Sequence, residues 1–194
     1  MEVQKMTGNG KNSTTMTKRI GKTKIMKMTD EELNKHNERK KKIREFIEPH
    51  LVYPFNAPSE KWDEADFCLE AIGLKKNALR CVNRKFWKDH DFCLEAVKRR
   101  GEAIEWISDK ILTTEMCLIA VKHDGNALGS VPKHLLTEAL ILEALNYDGT
   151  ALYYVPKFNL TKLIITTAVK QNKDALLYVP EEWREEARAV LGEV

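Results

Sequence analysis

The chain of 194 residues lacks the features that would place it in a membrane, a fibre or a secretory pathway. It contains no run of about 18 apolar residues, the length that a membrane-spanning helix needs. Its first residues are polar, where a secretory signal carries an apolar stretch. Only 9 glycines and 6 prolines are present, which argues against a collagen, a low-complexity chain or a turn-rich β-sandwich. We therefore expect a cytoplasmic protein without membrane association, with enough apolar residues for a packed core.

Residue patterns typical of enzymes and metal sites are also missing. The four cysteines, without a C-x-x-C pair or a neighbouring histidine pair, are expected to be free thiols of a reducing compartment. The string Gly21-Lys22-Thr23 resembles the end of a phosphate-binding loop, but Met16 stands where that loop needs a glycine. The sequence thus indicates no catalytic, cofactor-binding or metal-binding residue, and we expect a protein that is not an enzyme.

Charge is distributed unevenly along the chain. Residues 1–45 contain 13 Lys or Arg and 6 Asp or Glu, a balance of +7. The remaining residues contain 19 Lys or Arg and 23 Asp or Glu, a balance of −4. A basic extension on a mildly acidic body is typical of an interaction tail, although a merely solvated extension would have the same composition.

The rest of the chain repeats with a period of about 24 residues. We number each copy from a shared alanine at position 0, found at Ala71, Ala96, Ala120, Ala144 and Ala168. Apolar residues recur at positions −4, −3, 0 and +1, which is one stripe of an amphipathic α-helix. Position −7 carries Glu64, Asp89, Thr113, Thr137 and Thr161. Asp and Thr are good N-caps and Glu is a poorer one, so position −7 marks the start of each helix.

Glycine marks the expected end of that helix. Position +5 is Gly101, Gly125 and Gly149 in three copies, and we expect these glycines to adopt the left-handed conformation that ends a helix. Lys76 and Lys173 occupy the position in the other two copies, where we expect a less favourable turn.

A second, shorter helix follows in each copy. Position +7 is always alanine, position +11 is always valine or isoleucine, and position +12 is proline in the last three copies. Proline suits the first position of a new turn, so each unit is predicted to be a helix, a turn, a short helix and a proline-started turn. The small alanines at 0 and +7 predict a close approach of the two helices. We find no convincing alternation of period two that would indicate β-strands.

These patterns predict an all-α solenoid of about five repeats. Residues 1–45 are expected to be a basic, partly helical extension, and residues 46–63 a degenerate capping half-repeat. Residues 64–194 are expected to hold the five repeats and a capping helix from Glu181 to Leu191, because a linear stack needs a polar outer face at its end.

The repeat resembles a bacterial family, the domain-of-unknown-function family numbered 4116. The resemblance rests on strings such as AVKHDGNALGSVPKHLLTEALILEAL and AVKQNKDALLYVPEEW and covers about residues 64–184. The first copy departs from the pattern, since it lacks the glycine at +5 and the proline at +12. The resemblance implies a helical repeat module of bacterial and phage-encoded proteins, and it implies no enzymatic activity and no catalytic residue.

Two groups of residues are candidates for binding a partner. The first is the set of bases in the extension: Lys18, Arg19, Lys22, Lys24, Arg39, Lys40, Lys41, Lys42 and Arg44. The second is a set of aromatic residues, most of them at position +10: Trp106, Tyr147, Tyr154 and Tyr178. Aromatic residues are common both in interfaces and in cores, so full burial would remove them as a binding group.

Repeat stacks expose long continuous surfaces and commonly bind macromolecules. We therefore expect a non-enzymatic module that binds a protein partner by steric and electrostatic occlusion, such as a bacterial or phage inhibitor or immunity-type protein. The alternative is binding of nucleic acid or a ribonucleoprotein through the basic extension. Bases of the repeat region would extend that positive surface if they were available: Arg84, Lys85, Lys88, Lys98, Arg99 and Arg100.

Overall fold

The computed structural model describes residues 17–20, 24–27, 29–47 and 57–192. The chain forms two compact units, Met1–Glu45 and Phe46–Val194. In the first unit, β1 (Thr17–Ile20) pairs antiparallel with β2 (Lys24–Lys27), with Thr17 opposite Lys27. The sequence predicted a partly helical extension and no strand pattern, so the hairpin is an element that it did not anticipate. Four-residue strands among lysines are too short for an alternating pattern to stand out.

Helix α1 (Asp30–Ile47) follows the hairpin. Its first turn is held by a capping box, in which the backbone N–H of Glu32 donates to Thr29 Oγ1 over 3.2 Å. In return, the backbone N–H of Thr29 donates to the Glu32 carboxylate over 2.8 Å. The acidic first turn and the basic Arg44 in the last turn match the helix dipole.

Each of the five repeats consists of a ten-residue α-helix followed by a 3-10 helix. The α-helices are α2 (Ala65–Leu74), α3 (His90–Arg99), α4 (Thr114–His123), α5 (Glu138–Tyr147) and α6 (Lys162–Gln171). The main 3-10 helices span Lys76–Arg80, Gly101–Trp106, Gly125–Ser130, Gly149–Tyr154 and Lys173–Tyr178. Shorter 3-10 helices join the repeats at Phe86–Lys88, Lys133–Leu135 and Lys157–Asn159. Helix α7 (Glu181–Leu191) follows the fifth repeat.

The predicted helix starts are confirmed in all five repeats, and a side-chain cap is present in four of them. The Asp89 carboxylate accepts the backbone N–H of Phe92 over 2.8 Å, and three threonine hydroxyls accept the equivalent N–H over 3.3 Å in the later repeats. Glu64 makes no such side-chain bond. The prolines at +12 each precede a new helical turn, since the carbonyl of Pro132 accepts the N–H of Leu135 over 2.9 Å.

The core is a continuous row of the predicted apolar positions. The alanines at position 0 are 0–3% exposed in all five repeats. The residues at −4, −3 and +1 are also buried, and each α-helix packs on the α-helix of the next repeat. The 3-10 helices of neighbouring repeats pack on each other in the same way. Within a repeat the α-helix also contacts the following 3-10 helix, as α4 does with Gly125–Ser130, and this is the pairing for which the small alanines at 0 and +7 are suited.

The glycines at +5 have a different role from the one predicted. Among the described residues, only Gly192 after α7 has a positive φ, and the residue that ends each repeat helix is extended. A Cβ at Gly149 would lie 2.2 Å from the carbonyl oxygen of Ala168, and one at Gly125 would lie 2.7 Å from that of Ala144. The glycines are needed because the α-helix of the following repeat passes directly against their backbone. The lysines at +5 need no special turn, since Lys75 and Asn172 end their helices in the same extended conformation.

Arginine side chains connect the first repeat to the second, and we call the contact between two successive repeats a joint. Arg99 donates to the carbonyl of Leu69 over 3.2 Å and forms a 2.7 Å ion pair with the buried Glu70. Arg100 donates to the carbonyls of Ile72 and Gly73. The bonds from Arg100 satisfy carbonyls in the last turn of α2, where the helix itself supplies no partner.

The two ends of the repeat unit are closed by different elements. Before the first repeat, the 3-10 helix Ser59–Asp63 carries the buried Trp62, whose ring meets that of Phe67 edge to face. Half of the predicted half-repeat, residues 48–56, lies outside the described residues. At the other end, α7 spans the predicted range and buries Ala187. The all-α repeat class is therefore confirmed, and none of the helices in the described ranges could cross a bilayer.

Candidate functional site

Exposed aromatic side chains lie along one edge of the repeat stack, at the ends of the main 3-10 helices. We define the aromatic edge as Trp106, Tyr153, Tyr154, Leu177 and Tyr178. Trp106, Tyr154 and Tyr178 are about two-fifths exposed, whereas Tyr153 and Leu177 are 66% and 75% exposed. Because neighbouring 3-10 helices pack on each other, equivalent positions of successive repeats come side by side.

Tyr153 is the centre of a cluster of three rings. Its ring centroid lies 5.0 Å from that of Tyr154 and 5.3 Å from that of Tyr178, and both pairs meet edge to face. The Tyr154 ring also lies over Gly129 of the previous repeat, where a Cβ would come within 2.7 Å of two ring carbons. These contacts hold the rings in fixed positions, although much of their surface faces solvent.

Trp106 is held by a second pair of rings at the other end of the edge. It stacks on the buried Trp87 at a centroid distance of 6.3 Å. Trp87 in turn meets Phe92 edge to face. Ser130 takes the equivalent position in the repeat between Trp106 and Tyr154, so the row of rings is interrupted there.

The fourth predicted aromatic residue lies elsewhere. Tyr147 ends α5, is 52% exposed, and its backbone carbonyl accepts a hydrogen bond from Gln171 Nε2 over 3.0 Å.

The candidate set predicted from the sequence omitted Tyr153 and Leu177. Both lie at position +9, where the earlier repeats carry Arg80, Glu105 and Gly129. The change from polar residues or glycine to large apolar residues at +9 was the signal that could have identified them.

The candidate bases of the extension are placed as follows. Lys18 and Arg19 lie in β1, Lys24 lies in β2, and Lys22 lies outside the described residues. The others lie on α1, where Lys40 is half-buried and four are exposed: Arg39, Lys41, Lys42 and Arg44. Lys41 lies 3.8 Å from Glu45, one turn later.

Most bases of the repeat region that could have extended this positive surface have acidic or backbone partners. Lys85 pairs with Asp63 over 2.7 Å, and Lys98 pairs with Glu95 over 2.9 Å. The Lys85 hydrogen bond lowers the pKa of the Asp63 carboxyl. Arg99 and Arg100 make the first joint described above. These four bases stabilise the fold, which reduces the charge they offer to a partner.

Polar side chains also cap the 3-10 helices. The Asp148 carboxylate accepts the backbone N–H of Thr150 over 2.9 Å and a bond from Asn126 of the previous repeat, also over 2.9 Å. Burial raises the pKa of the Asp148 carboxyl, but the bonds from Thr150 and Asn126 outweigh burial and hold that pKa below its usual value. This carboxylate is therefore ionised and structural at neutral pH.

The four cysteines are free thiols, as predicted. Burial raises the pKa of the Cys68 and Cys93 thiols to about 12 and that of Cys117 to about 11. Thiols with such values are inert at neutral pH, because the thiolate is the reactive form. Within the described ranges, no three His, Cys, Asp or Glu side chains come together as a set of metal ligands.

The comparison with known families agrees with the repeats seen in the structure. The model of one family, Domain of unknown function (DUF4116), matches residues 66–112 and 137–184. The intervening residues 113–136 fold into the same pair of helices, α4 and Gly125–Ser130. No curated protein and no solved structure matches the chain. The repeats at residues 66–112 and 137–184 thus belong to the family DUF4116.

Proposed function

We propose that this protein is a non-enzymatic binding module that engages a protein partner through the aromatic edge. It acts by covering a surface of that partner, as an inhibitor or immunity-type protein does. The observation that carries the proposal is the concentration of exposed aromatic and aliphatic side chains at Tyr153, Tyr154, Leu177 and Tyr178. Contiguous apolar surface on a soluble protein commonly marks an interaction site.

The physical properties of the edge support a role in binding. Tyrosine and tryptophan contribute most to the affinity of protein interfaces, because a large rigid ring loses little conformational entropy on binding. Here the ring contacts among Tyr153, Tyr154 and Tyr178 hold the rings in place before a partner arrives. A preorganised surface of this kind loses less free energy in becoming ordered.

Site-specific cross-linking tests the proposal. A photo-reactive phenylalanine analogue replaces Leu177, and the full chain is irradiated in a lysate of the source organism. Leu163 on α6 is the matched control, because it is an exposed leucine outside the aromatic edge. We expect a discrete protein adduct from position 177 that Tyr153→Ser abolishes, and no such adduct from position 163. Equal labelling from both positions, or none from position 177, would refute the proposal.

A second candidate function is nucleic-acid binding through α1. The observation that favours it is the run of exposed bases Arg39, Lys41, Lys42 and Arg44. Binding to duplex DNA by these bases would weaken steeply with salt, with a slope of about 0.9 per phosphate contact. The test is a salt titration of duplex binding by the parent chain and by a variant with Lys41→Gln and Lys42→Gln. A slope that is flat, or equal in the two proteins, would exclude this function.

A further inference from the structure

We infer that the segment bound by the aromatic edge is an extended peptide that combines apolar and acidic side chains. This inference rests on the proposed function and specifies the chemistry of the partner. It is carried by the charge beside the ring cluster, by the contacts between the rings, and by the spacing of the repeats.

The aromatic edge is flanked by positive charge in its central repeats, although the repeat unit as a whole is acidic. Lys133 follows Ser130 by three residues, and Lys157 follows Tyr154 by three residues. Both lysines are exposed. Positions +9, +10, +13 and +14 of these two repeats contain no Asp or Glu. This part of the surface is therefore positive although residues 46–194 together carry a net charge of −4. A local excess of positive charge favours an acidic partner.

The charge changes sign beyond Tyr178. Glu181 and Glu182 begin α7, and Glu181 forms an ion pair with Arg184. The positive part of the edge therefore lies over the third and fourth repeats, beside Tyr153 and Tyr154. We place the acidic side chains of the bound peptide there and its apolar side chains on the ring cluster.

The ring contacts favour a peptide over a single-stranded nucleic acid, which would also be attracted by lysines and aromatic rings. A base-stacking platform needs a free ring face on successive repeats. In this protein, Tyr153 fills the space between Tyr154 and Tyr178, and its contacts with both rings are edge to face. The row is also interrupted at Ser130. The resulting surface suits apolar side chains better than a stack of bases.

An extended segment matches the spacing of the repeats. Packed helices lie roughly 8–10 Å apart, and a polyproline II chain advances about 9 Å in three residues. Such a peptide passes one repeat for every three residues. The hydroxyls of Ser130 and the tyrosines and the ammonium groups of the lysines can bond its solvated backbone carbonyls.

A display experiment with the full chain tests this inference. A library of random dodecapeptides is selected on the parent protein and depleted against a Tyr153→Ser, Leu177→Ser variant. The depletion removes peptides that bind the basic extension, because the variant keeps that extension. We expect the remaining peptides to be enriched in Asp and Glu together with apolar residues.

The recovered peptides are then titrated against two charge-reversal variants by fluorescence anisotropy. Lys133→Glu with Lys157→Glu changes the charge beside the aromatic edge, and Lys75→Glu with Lys170→Glu makes the same charge change at exposed positions outside the 3-10 helices. We expect Kd to rise about tenfold for the edge variant and less than twofold for the control. Far-ultraviolet circular dichroism checks that each variant is folded.

The possible outcomes separate this inference from the proposed function. Edge-dependent peptides that are basic or uncharged, or equal effects of the two charge reversals, would overturn the inference and leave the proposed function standing. A thymidine oligonucleotide whose binding is lost in the Tyr153→Ser, Leu177→Ser variant would overturn both. Failure to recover any edge-dependent peptide overturns the inference, whereas the adduct at position 177 remains the test of the proposed function.

Discussion

Replacing Gly149 with alanine tests the assignment of the +5 glycines to close packing. The added Cβ would lie 2.2 Å from the carbonyl oxygen of Ala168 and 2.9 Å from Gln171 Oε1. The nearest atom belongs to backbone, so a neighbouring helix must move. Overpacking of this kind costs about 1–3 kcal/mol. A cost near 2 kcal/mol lowers the melting temperature of a chain of this size by about 4–8 °C.

The same substitution at Gly73 is the matched control. Nothing lies within 4 Å of a Cβ at Gly73, and this glycine is inside α2. Alanine there raises stability by about 0.5–1 kcal/mol, because glycine is a poor helix former. Thermal unfolding followed by circular dichroism at the helix band compares Gly149→Ala and Gly73→Ala with the parent. If Gly149→Ala melts at or above the temperature of the parent, the close-packing explanation is wrong.

Three further predictions concern the interior of the stack. Ala120→Leu should destabilise the fold by at least about 2 kcal/mol through overpacking, and a thermal midpoint at or above that of the parent would contradict this. Arg99→Met should cost about 3 kcal/mol in urea unfolding, because it leaves Glu70 buried without its ion pair, and adding Glu70→Leu should restore much of that loss. Ellman's reagent near pH 8 should label at most the half-buried Cys81 in the native chain and all four thiols after unfolding, because burial keeps the other three protonated. Because these thiols hold their protons more tightly in the folded chain, the fold has its full stability below about pH 9, the ordinary thiol pKa, and loses that stability as the pH rises toward 12. Rapid labelling of more than one thiol in the native chain would contradict the assignment of three thiols as buried.

The sequence predicted those parts of the fold that depend on local chemistry. The hydroxyls of Thr113, Thr137 and Thr161 cap their helices in the structure because capping needs only a suitable side chain three residues before a free N–H. The buried alanines at position 0 were identified by their period. Both signals are contained within a single repeat.

The parts that were missed depend on contacts between repeats. Gly125 and Gly149 were assigned a left-handed conformation because a glycine after a helix usually has one, whereas the reason for these glycines lies in the next repeat. Whether Tyr154 and Tyr178, at position +10, are exposed could not be decided from the sequence either. A tyrosine at the end of a short helix is equally suited to a core and to a surface, and only the packed neighbours decide between them.

The two kinds of joint between repeats have a consequence for how such a chain could change its length. From the second to the fifth repeat, each joint places a +5 glycine against the backbone of the next α-helix. A duplicated unit inserted among these repeats would therefore meet a matching neighbour on each side. The first joint depends on the side chains of Arg99 and Arg100, and a copy inserted there would need both arginines again. Lys173 takes the +5 position in the fifth repeat, so that repeat offers no glycine to the helix that follows it, α7. Gene duplications that lengthen this protein are therefore expected among the second to fifth repeats, leaving the first repeat and α7 in single copy.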